Sequence, residues 1–285
     1  MTRAIQSVEL PGGPRLQYVE QGEPSGVPMV LLHGYTDSWR SFELVLPHLP
    51  PDVRAFAVTL RGHGDAARPA DGYRPRAFAA DIARFMELLG IGAAVVAGHS
   101  MGSTIAQRFA VDHPERTLGL ALLGSLGSWH RNPSVVELWD AVAALEDPVD
   151  PVFVREFQAS TVTRPVPPGV LDTAVQESLK MPARVWRAIC ESFLQDDFAV
   201  ELGAIGAPAL IIWGDADPFG PRAAQDALVR AIARSQLVVY EGAGHAMHWE
   251  QPARVAADFT RFARSLSTRA ITAAAAAARA EPAIA

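Results

Sequence analysis

Cysteine is almost missing from this 285-residue chain: Cys190 stands alone, so no intrachain disulfide can form and nothing signals an oxidising compartment. Its expected place is a buried apolar position. Long apolar runs are missing too. No stretch approaches the ~20 residues that cross a bilayer, and the alanine-rich segment near the C-terminus is interrupted by Arg269 and Arg279. The opening residues, Met1-Thr2-Arg3-Ala4-Ile5-Gln6-Ser7, lack the continuous apolar stretch of a secretory signal, so a cytoplasmic protein with no membrane partner is expected. Positive charge is in deficit. The formal net charge of -6 argues against a phosphate-neutralising face, and nucleic acid is not an expected partner. Neither a G-x-G-x-x-G fingerprint, nor a P-loop, nor a ligand-spaced set of His, Cys and carboxylates occurs, so no cofactor and no metal are expected.

What remains is ordinary globular material, 49% hydrophobic and 20% charged, long enough for a sizeable core. Short apolar runs alternate with stretches of helical periodicity, the pattern of repeated strand–helix units and a mainly parallel sheet. Polar/apolar alternation near 4–10 and 14–20 predicts two half-exposed strands. Met29–Leu32, Ala93–Ala97, Leu118–Leu123 and Ala209–Trp213 are nearly all apolar, as suits strands covered on both faces. Leu237–Tyr240 is a further strand-like run. Between them, Phe78, Ile82, Phe85, Met86 and Leu89 form one apolar stripe and predict a crossover helix over 76–89, ended by Gly90 and Gly92.

From about Ser128 to Phe198 the alternation stops. The pattern turns helical, punctuated by Pro133, Pro148, Pro151, Pro165, Pro167, Pro168 and Pro182, so residues 128–198 read as a helical insertion splitting a core of 1–127 and 199–266. Ser134 and Glu137 have capping-box spacing ahead of Val135, Leu138, Trp139, Val142 and Leu145. The Ala- and Arg-rich 267–285 lacks apolar periodicity, and a flexible, frayed tail is expected there.

Apolar Ala93–Ala97 leads into Gly98-His99-Ser100-Met101-Gly102-Ser103 and then into the helical spacing of Ile105, Ala106 and Phe109. Strand, tight turn and helix in that order expose a serine hydroxyl at a strained tip, and glycines two positions away on each side let strand and helix approach. The helix N-terminus adds unpaired N–H groups and a positive dipole end. A serine nucleophile needs a base, and the base needs a third group to fix its tautomer. After Ala209–Trp213 comes Gly214-Asp215-Ala216-Asp217-Pro218, and after Leu237–Tyr240 comes Glu241-Gly242-Ala243-Gly244-His245. Both fall just past the C-terminal ends of expected strands, the edge where open α/β sheets place their sites.

Together these signals resemble the α/β-hydrolase family over about residues 8–265. The resemblance implies an α/β fold with a mainly parallel eight-stranded sheet, helices on both faces and an inserted helical cap. It also implies a catalytic triad of Ser100, Asp217 and His245. The family's G-x-x-D turn selects Asp217, with Asp215 as the fallback. His33-Gly34-Tyr35 looks like the family's H-G-x loop, which maps the oxyanion-hole donors to the N–H groups of Tyr35 and Met101. Arg61-Gly62-His63-Gly64 looks like a structural turn of the family, and His63 receives no chemistry. His248 falls outside the Gly-His position and is expected to be structural or pocket-lining. Two departures stand out: Ser103 replaces the second glycine common after the elbow, and the nucleophile position holds no acid, which argues against chemistry through an aspartate nucleophile.

Trp129, Trp139, Phe153, Phe157, Trp186, Phe193 and Phe198 crowd the insertion. Trp129, Trp139, Phe153, Phe157 and Trp186, with Phe219 beside the acid turn, are the expected substrate-binding residues. The bland alternative is that most of them pack the cap on itself and on the core. A capped apolar pocket favours a small hydrophobic ester or lactone, hydrolysed through an acyl-enzyme. The same residues leave open a carbon–carbon bond hydrolase acting on a vinylogous diketone, a cofactor-free perhydrolase, or a ligand receptor on the same fold. Oligomeric state is not readable.

Overall fold

Eight strands form one sheet in the spatial order β1 (Gln6–Glu9), β2 (Arg15–Gln21), β4 (Val53–Thr59), β3 (Val27–Leu32), β5 (Ala94–His99), β6 (Thr117–Leu123), β7 (Ala209–Gly214), β8 (Ser235–Tyr240). The strands from β4 across to β8 run parallel, and β2 is antiparallel to both β4 and β1. This computed structural model describes residues 4–130 and 132–280. β5 and β7 are buried at every position, so their unbroken apolar runs face protein on both sides. β4 is not among the apolar runs seen in the sequence, because Arg54 and two alanines dilute it. Pairing with β2 on one side and β3 on the other makes it a strand.

Alternation along each strand divides the core in two. Val30, Leu32, Phe56, Val58, Val96, Leu120 and Ile211 face one side, together with the apolar stripes of α1 (Pro75–Leu88) and α2 (Met101–Asp112). Met29, Leu31, Ala57, Val95, Ala121 and Ile212 face the other, against Val255, Phe259 and Ala263. The crossover helix expected over 76–89 is α1. It starts at Pro75, where the missing N–H costs nothing, and Gly90 closes it at φ 66°.

Among the described residues four α-helices lie between β6 and β7: α3 (Pro133–Ala143), α4 (Pro151–Ser160), α5 (Val170–Leu179) and α6 (Ala183–Gln195). Prolines start three of them, since Pro133 and Pro151 sit in the first turn and Pro182 is the N-cap of α6, while Gly169 caps α5. The cap of α3 is a correction to the sequence reading. Asn132, not Ser134, is the N-cap and accepts the Val135 N–H at 3.3 Å, because Pro133 can only be the first helical residue; the Ser134 hydroxyl instead donates to the Pro218 carbonyl at 3.0 Å. After α7 (Arg222–Ala231) and α8 (Met247–Glu250), α9 runs over Pro252–Ala280. The segment expected to fray after Leu266 therefore continues that helix to Ala280, and 281–285 lie outside the described residues. Among the described residues no helix is long and apolar enough to cross a membrane.

Candidate active site

Ser100 stands between the end of β5 and the first turn of α2 with φ 50° and ψ -115°. That left-handed backbone is unfavourable for any residue with a Cβ, and it lifts the side chain off the sheet edge. The flanking glycines are required by contact. A Cβ on Gly98 would lie 2.1 Å from the Gly102 carbonyl oxygen, and one on Gly102 would lie 2.2 Å from that of Leu32. Ser103, the departure from the usual glycine, is fully buried and donates its hydroxyl to the Ser100 carbonyl at 2.6 Å. The elbow thus gains a brace rather than a clash.

Past β7 and β8, the Asp217 and His245 loops converge. His245 Nδ1 lies 2.8 Å from Asp217 Oδ2, and Asp217 Oδ1 accepts the N–H groups of Phe219 at 2.8 Å and Gly220 at 3.0 Å. Burial alone would push the Asp217 carboxyl up. The facing His245, through its charge and hydrogen bond, and the two turn N–H groups outweigh burial and hold it below the ordinary carboxylate range. An ionised Asp217 keeps the proton on Nδ1 and leaves the Nε2 lone pair of His245 free to act as a base. Asp215 is directed elsewhere: it accepts the Gly242 N–H at 2.5 Å and ties its loop to the next.

Ser100 and His245 open into one pocket, which encloses about 40 Å³. Gly34 and Tyr35 line it beside them, and Met101 begins α2, where its N–H has no intrahelical acceptor. Of the aromatics expected to meet substrate, Trp129, Phe157 and Phe219 form walls, with the Trp129 indole N–H fixed on Thr104 Oγ1 at 3.0 Å. Trp139, Phe153 and Trp186 are not in the wall. Trp186 is wholly buried one layer behind it, edge-on to Tyr35 at 5.3 Å and to Phe157 at 5.9 Å. On α3 it is Val135 and Leu138 that reach the pocket, while Trp139 packs partly buried against the core.

The sequence reading passed over a polar cluster behind the wall. Asp37 is buried, accepts the Ser41 hydroxyl at 3.0 Å and the Gln158 amide at 3.3 Å, and lines the pocket. Burial dominates its titration and raises the carboxyl to about 7, against the lowering effect of the Ser41 and Gln158 hydrogen bonds. Its signal was present as an acid three residues past His33-Gly34. Since Ser41 gives its proton to Asp37, His248 donates from Nε2 to the Ser41 oxygen at 2.9 Å. His99 donates from Nε2 to the His245 carbonyl at 3.1 Å, which anchors the His245 loop. Burial, reinforced by neighbouring imidazoles, pushes His99 well below the ordinary histidine value and His248 down to about 3, so both rings stay neutral. His63 donates to the Arg61 carbonyl at 2.9 Å and packs on His33, away from the pocket. Cys190 is fully buried, and burial pushes its thiol up to about 12.

Asp37 and Trp249 also face a second cavity of about 240 Å³, between Ser38–Leu44 and α5, lined by Arg40, Glu43, Thr173 and Glu177. Glu177 is ion-paired there with Lys180 at 2.9 Å and Arg40 at 3.7 Å. Among the described residues no group of three or more His, Cys, Asp or Glu is placed to hold a metal ion.

Comparison with known proteins agrees with this architecture. Over 111 residues the chain is 37% identical to a soluble epoxide hydrolase of Corynebacterium sp. (strain C12), covering 39% of this chain and 38% of that protein. Over 251 residues it is 30% identical to the 2-hydroxymuconate semialdehyde hydrolase of Pseudomonas sp. (strain CF600), covering 81% of this chain and 85% of the relative. A thermophilic esterase from Thermogutta terrifontis superposes with a TM-score of 0.81 at 27% identity, covering 92% of this chain and 99% of the esterase. Residues 27–252 match the model of the alpha/beta hydrolase fold, and with its eight-stranded sheet and helical insertion the chain belongs to that family.

Proposed function

We propose that this protein hydrolyses a carboxylic ester or lactone of a hydrophobic small molecule through an acyl-enzyme on Ser100. The observation that carries the reading is the His245–Asp217 pair at 2.8 Å on the same pocket as a serine at φ 50°. Ser100 Oγ attacks the carbonyl carbon as His245 Nε2 takes its proton, and the tetrahedral oxyanion is held by the Tyr35 and Met101 N–H groups. The proton then passes from His245 to the departing alkoxide, leaving the acyl group on Ser100. Water, deprotonated by His245, attacks the acyl carbon and releases the acid, and Ser100 recovers its proton. In a lactone, the alcohol and the acid leave as one molecule. Asp217 keeps the imidazole oriented throughout.

The insertion 128–198 supplies the substrate filter, through the walls made by Trp129, Val135, Leu138 and Phe157. A serine at the elbow does not suit chemistry through an aspartate nucleophile, whatever the likeness to an epoxide hydrolase. Carbon–carbon bond hydrolysis is the second reading, favoured by the likeness to a semialdehyde hydrolase. The test is labelling with a fluorophosphonate, followed by a panel of aryl esters, lactones and a vinylogous diketone. Labelling at Ser100 with turnover of esters or lactones, both lost in Ser100→Ala, supports the first reading. Activity confined to the diketone selects the second, and an unlabelled chain that only binds ligands defeats both.

A further inference from the structure

The pocket around Ser100 is narrow. At about 40 Å³ it falls well short of the ~300 Å³ and more of a typical ligand site, and part of its wall is Leu138 on α3 and Phe157 and Gln158 on α4, so widening it for an ester shifts those cap helices. What moves with them is visible in the hydrogen bonds. Gln158 Nε2 donates to Thr36 Oγ1 at 3.1 Å, to Asp37 Oδ1 at 3.3 Å and to Ser178 Oγ at 2.9 Å. Ser178, on α5, meets Thr36 Oγ1 at 2.9 Å and shares its proton between the carbonyls of Ala174 at 2.8 Å and Thr36 at 3.3 Å. The Tyr35 hydroxyl donates to the Trp186 carbonyl on α6 at 2.7 Å. All three residues following Gly34 are therefore tied to the cap, each through a buried contact.

The middle residue of the three is under strain. Thr36 has φ 69°, a conformation in which a β-branched residue is an outlier and glycine would be at ease. Its neighbours leave no slack. Upstream, β3 fixes Leu32, and downstream the 3-10 turn Trp39–Phe42 buries Trp39, Ser41 and Phe42, with the Trp39 N–H on Thr59 Oγ1 at 3.1 Å. A chain anchored at both ends absorbs a relaxation at Thr36 in the peptides of Tyr35 and Thr36. The Tyr35 N–H is the donor assigned above to the oxyanion.

We propose that Gln158 and Ser178 are positioning residues through which the closed cap holds Thr36 in its left-handed conformation and so sets the Tyr35 N–H of the oxyanion hole. The inference rests on the serine-hydrolase reading. When the cap opens for substrate, Thr36 loses its side-chain partners and the oxyanion hole loosens. When the cap closes over a fitting substrate, the hole is rebuilt. Recognition by the cap thereby acts on the chemical step and not on binding alone.

The experiment compares wild type, Gln158→Leu, Ser178→Ala and the double variant Gln158→Leu with Thr36→Gly, all in the full chain and shown to be folded by thermal melting. Wild-type labelling by a fluorophosphonate and turnover of an aryl ester come first, and their failure defeats the functional reading itself. With those in hand, Gln158→Leu and Ser178→Ala should lower kcat on the ester about 10- to 100-fold with KM within about threefold. Affinity for an aryl trifluoromethyl ketone, which forms a tetrahedral adduct on the serine, should fall in step. Adding Thr36→Gly should restore at least fivefold of the lost kcat, because glycine holds φ 69° without help; a merely structural loss would not be repaired this way. Should Gln158→Leu fail to fold, Ser178→Ala, which removes one hydroxyl, carries the same comparison with and without Thr36→Gly. Unchanged kcat and ketone affinity in the folded single variants, or no rescue by Thr36→Gly, overturns the proposal.

Discussion

Asp217 holds His245 with one carboxylate oxygen and its own turn with the other: Oδ2 faces His245 Nδ1 at 2.8 Å while Oδ1 accepts the Phe219 and Gly220 N–H groups. The two tasks separate under substitution. Asp217→Asn retains an oxygen for the turn but sets an NH2 group or a weaker acceptor before the imidazole. We expect kcat on an aryl ester to fall by about 10⁴ with little loss of thermal stability. Asp215→Asn, whose carboxylate accepts the Gly242 N–H, should cost less than about tenfold on the same rate basis. Steady-state kinetics of the two variants side by side decide the matter, and the reverse ranking would move the acid to Asp215.

Ser100→Ala and Ser100→Gly should both be inactive, yet they should differ in stability. Alanine inherits the unfavourable φ of 50°, whereas glycine adopts it freely. Relief of about 1–3 kcal/mol of backbone strain exceeds the 0.5–1 kcal/mol of extra chain entropy that glycine usually loses. Ser100→Gly should therefore melt above Ser100→Ala. A lower melting temperature for the glycine variant would mean that the elbow is not strained.

In the cap, the wall and the layer behind it should respond differently. Leu138→Ala or Phe157→Ala enlarges the pocket, and should change the ratio of kcat/KM between bulky and small esters more than the rate on the small one. Trp186→Ala removes a fully buried ring, so about 3–5 kcal/mol of stability should go, and activity on all esters should fall together with the folded fraction. Melting curves combined with specificity ratios separate the two patterns. A selective effect of Trp186→Ala on folded protein would return that residue to the pocket.

Asp37 predicts a pH dependence of stability. Its ordinary carboxyl value is 3.8, and in the fold burial raises it to about 7, so the native chain binds that proton more tightly than the unfolded chain. The associated stability is present below pH 3.8 and is lost as pH rises toward 7; its upper bound is about 4 kcal/mol. Asn cannot ionise, and with its one oxygen toward the Gln158 amide its NH2 group donates to the Ser41 hydroxyl instead of accepting from it. Asp37→Asn should consequently gain several degrees in melting temperature relative to wild type between pH 5 and pH 8. A constant difference across that range would show that Asp37 titrates normally.

The sheet apart from β4 and the placement of the Ser100, Asp217 and His245 loops were legible because each depends on local pattern: an apolar run, a turn that only glycine permits, and a polar residue at the strand's end. The walls of the pocket were not. Leu138 and Trp139 are adjacent on α3, and periodicity places both toward the protein interior without telling which one reaches the cavity. Trp186 lies on the buried face of α6 as its spacing predicts, but its distance from Ser100 depends on how α6 stacks on Tyr35 and Phe157. The cluster of Asp37, Ser41, His248 and Gln158 joins residues up to 207 positions apart, so no spacing rule could have gathered it.

The two cavities that share Asp37 and Trp249 bear on inhibitor chemistry. The chamber holding Ser100 is small and mostly apolar. The adjoining one is about six times larger and carries Arg40, Glu43 and Glu177 on its walls. A compound with a compact electrophile for Ser100 and a polar arm reaching past Asp37 would draw its reactivity from the first chamber and its selectivity from the second. Optimising the arm rather than the electrophile is then the route to discriminating this protein from other members of the alpha/beta hydrolase family.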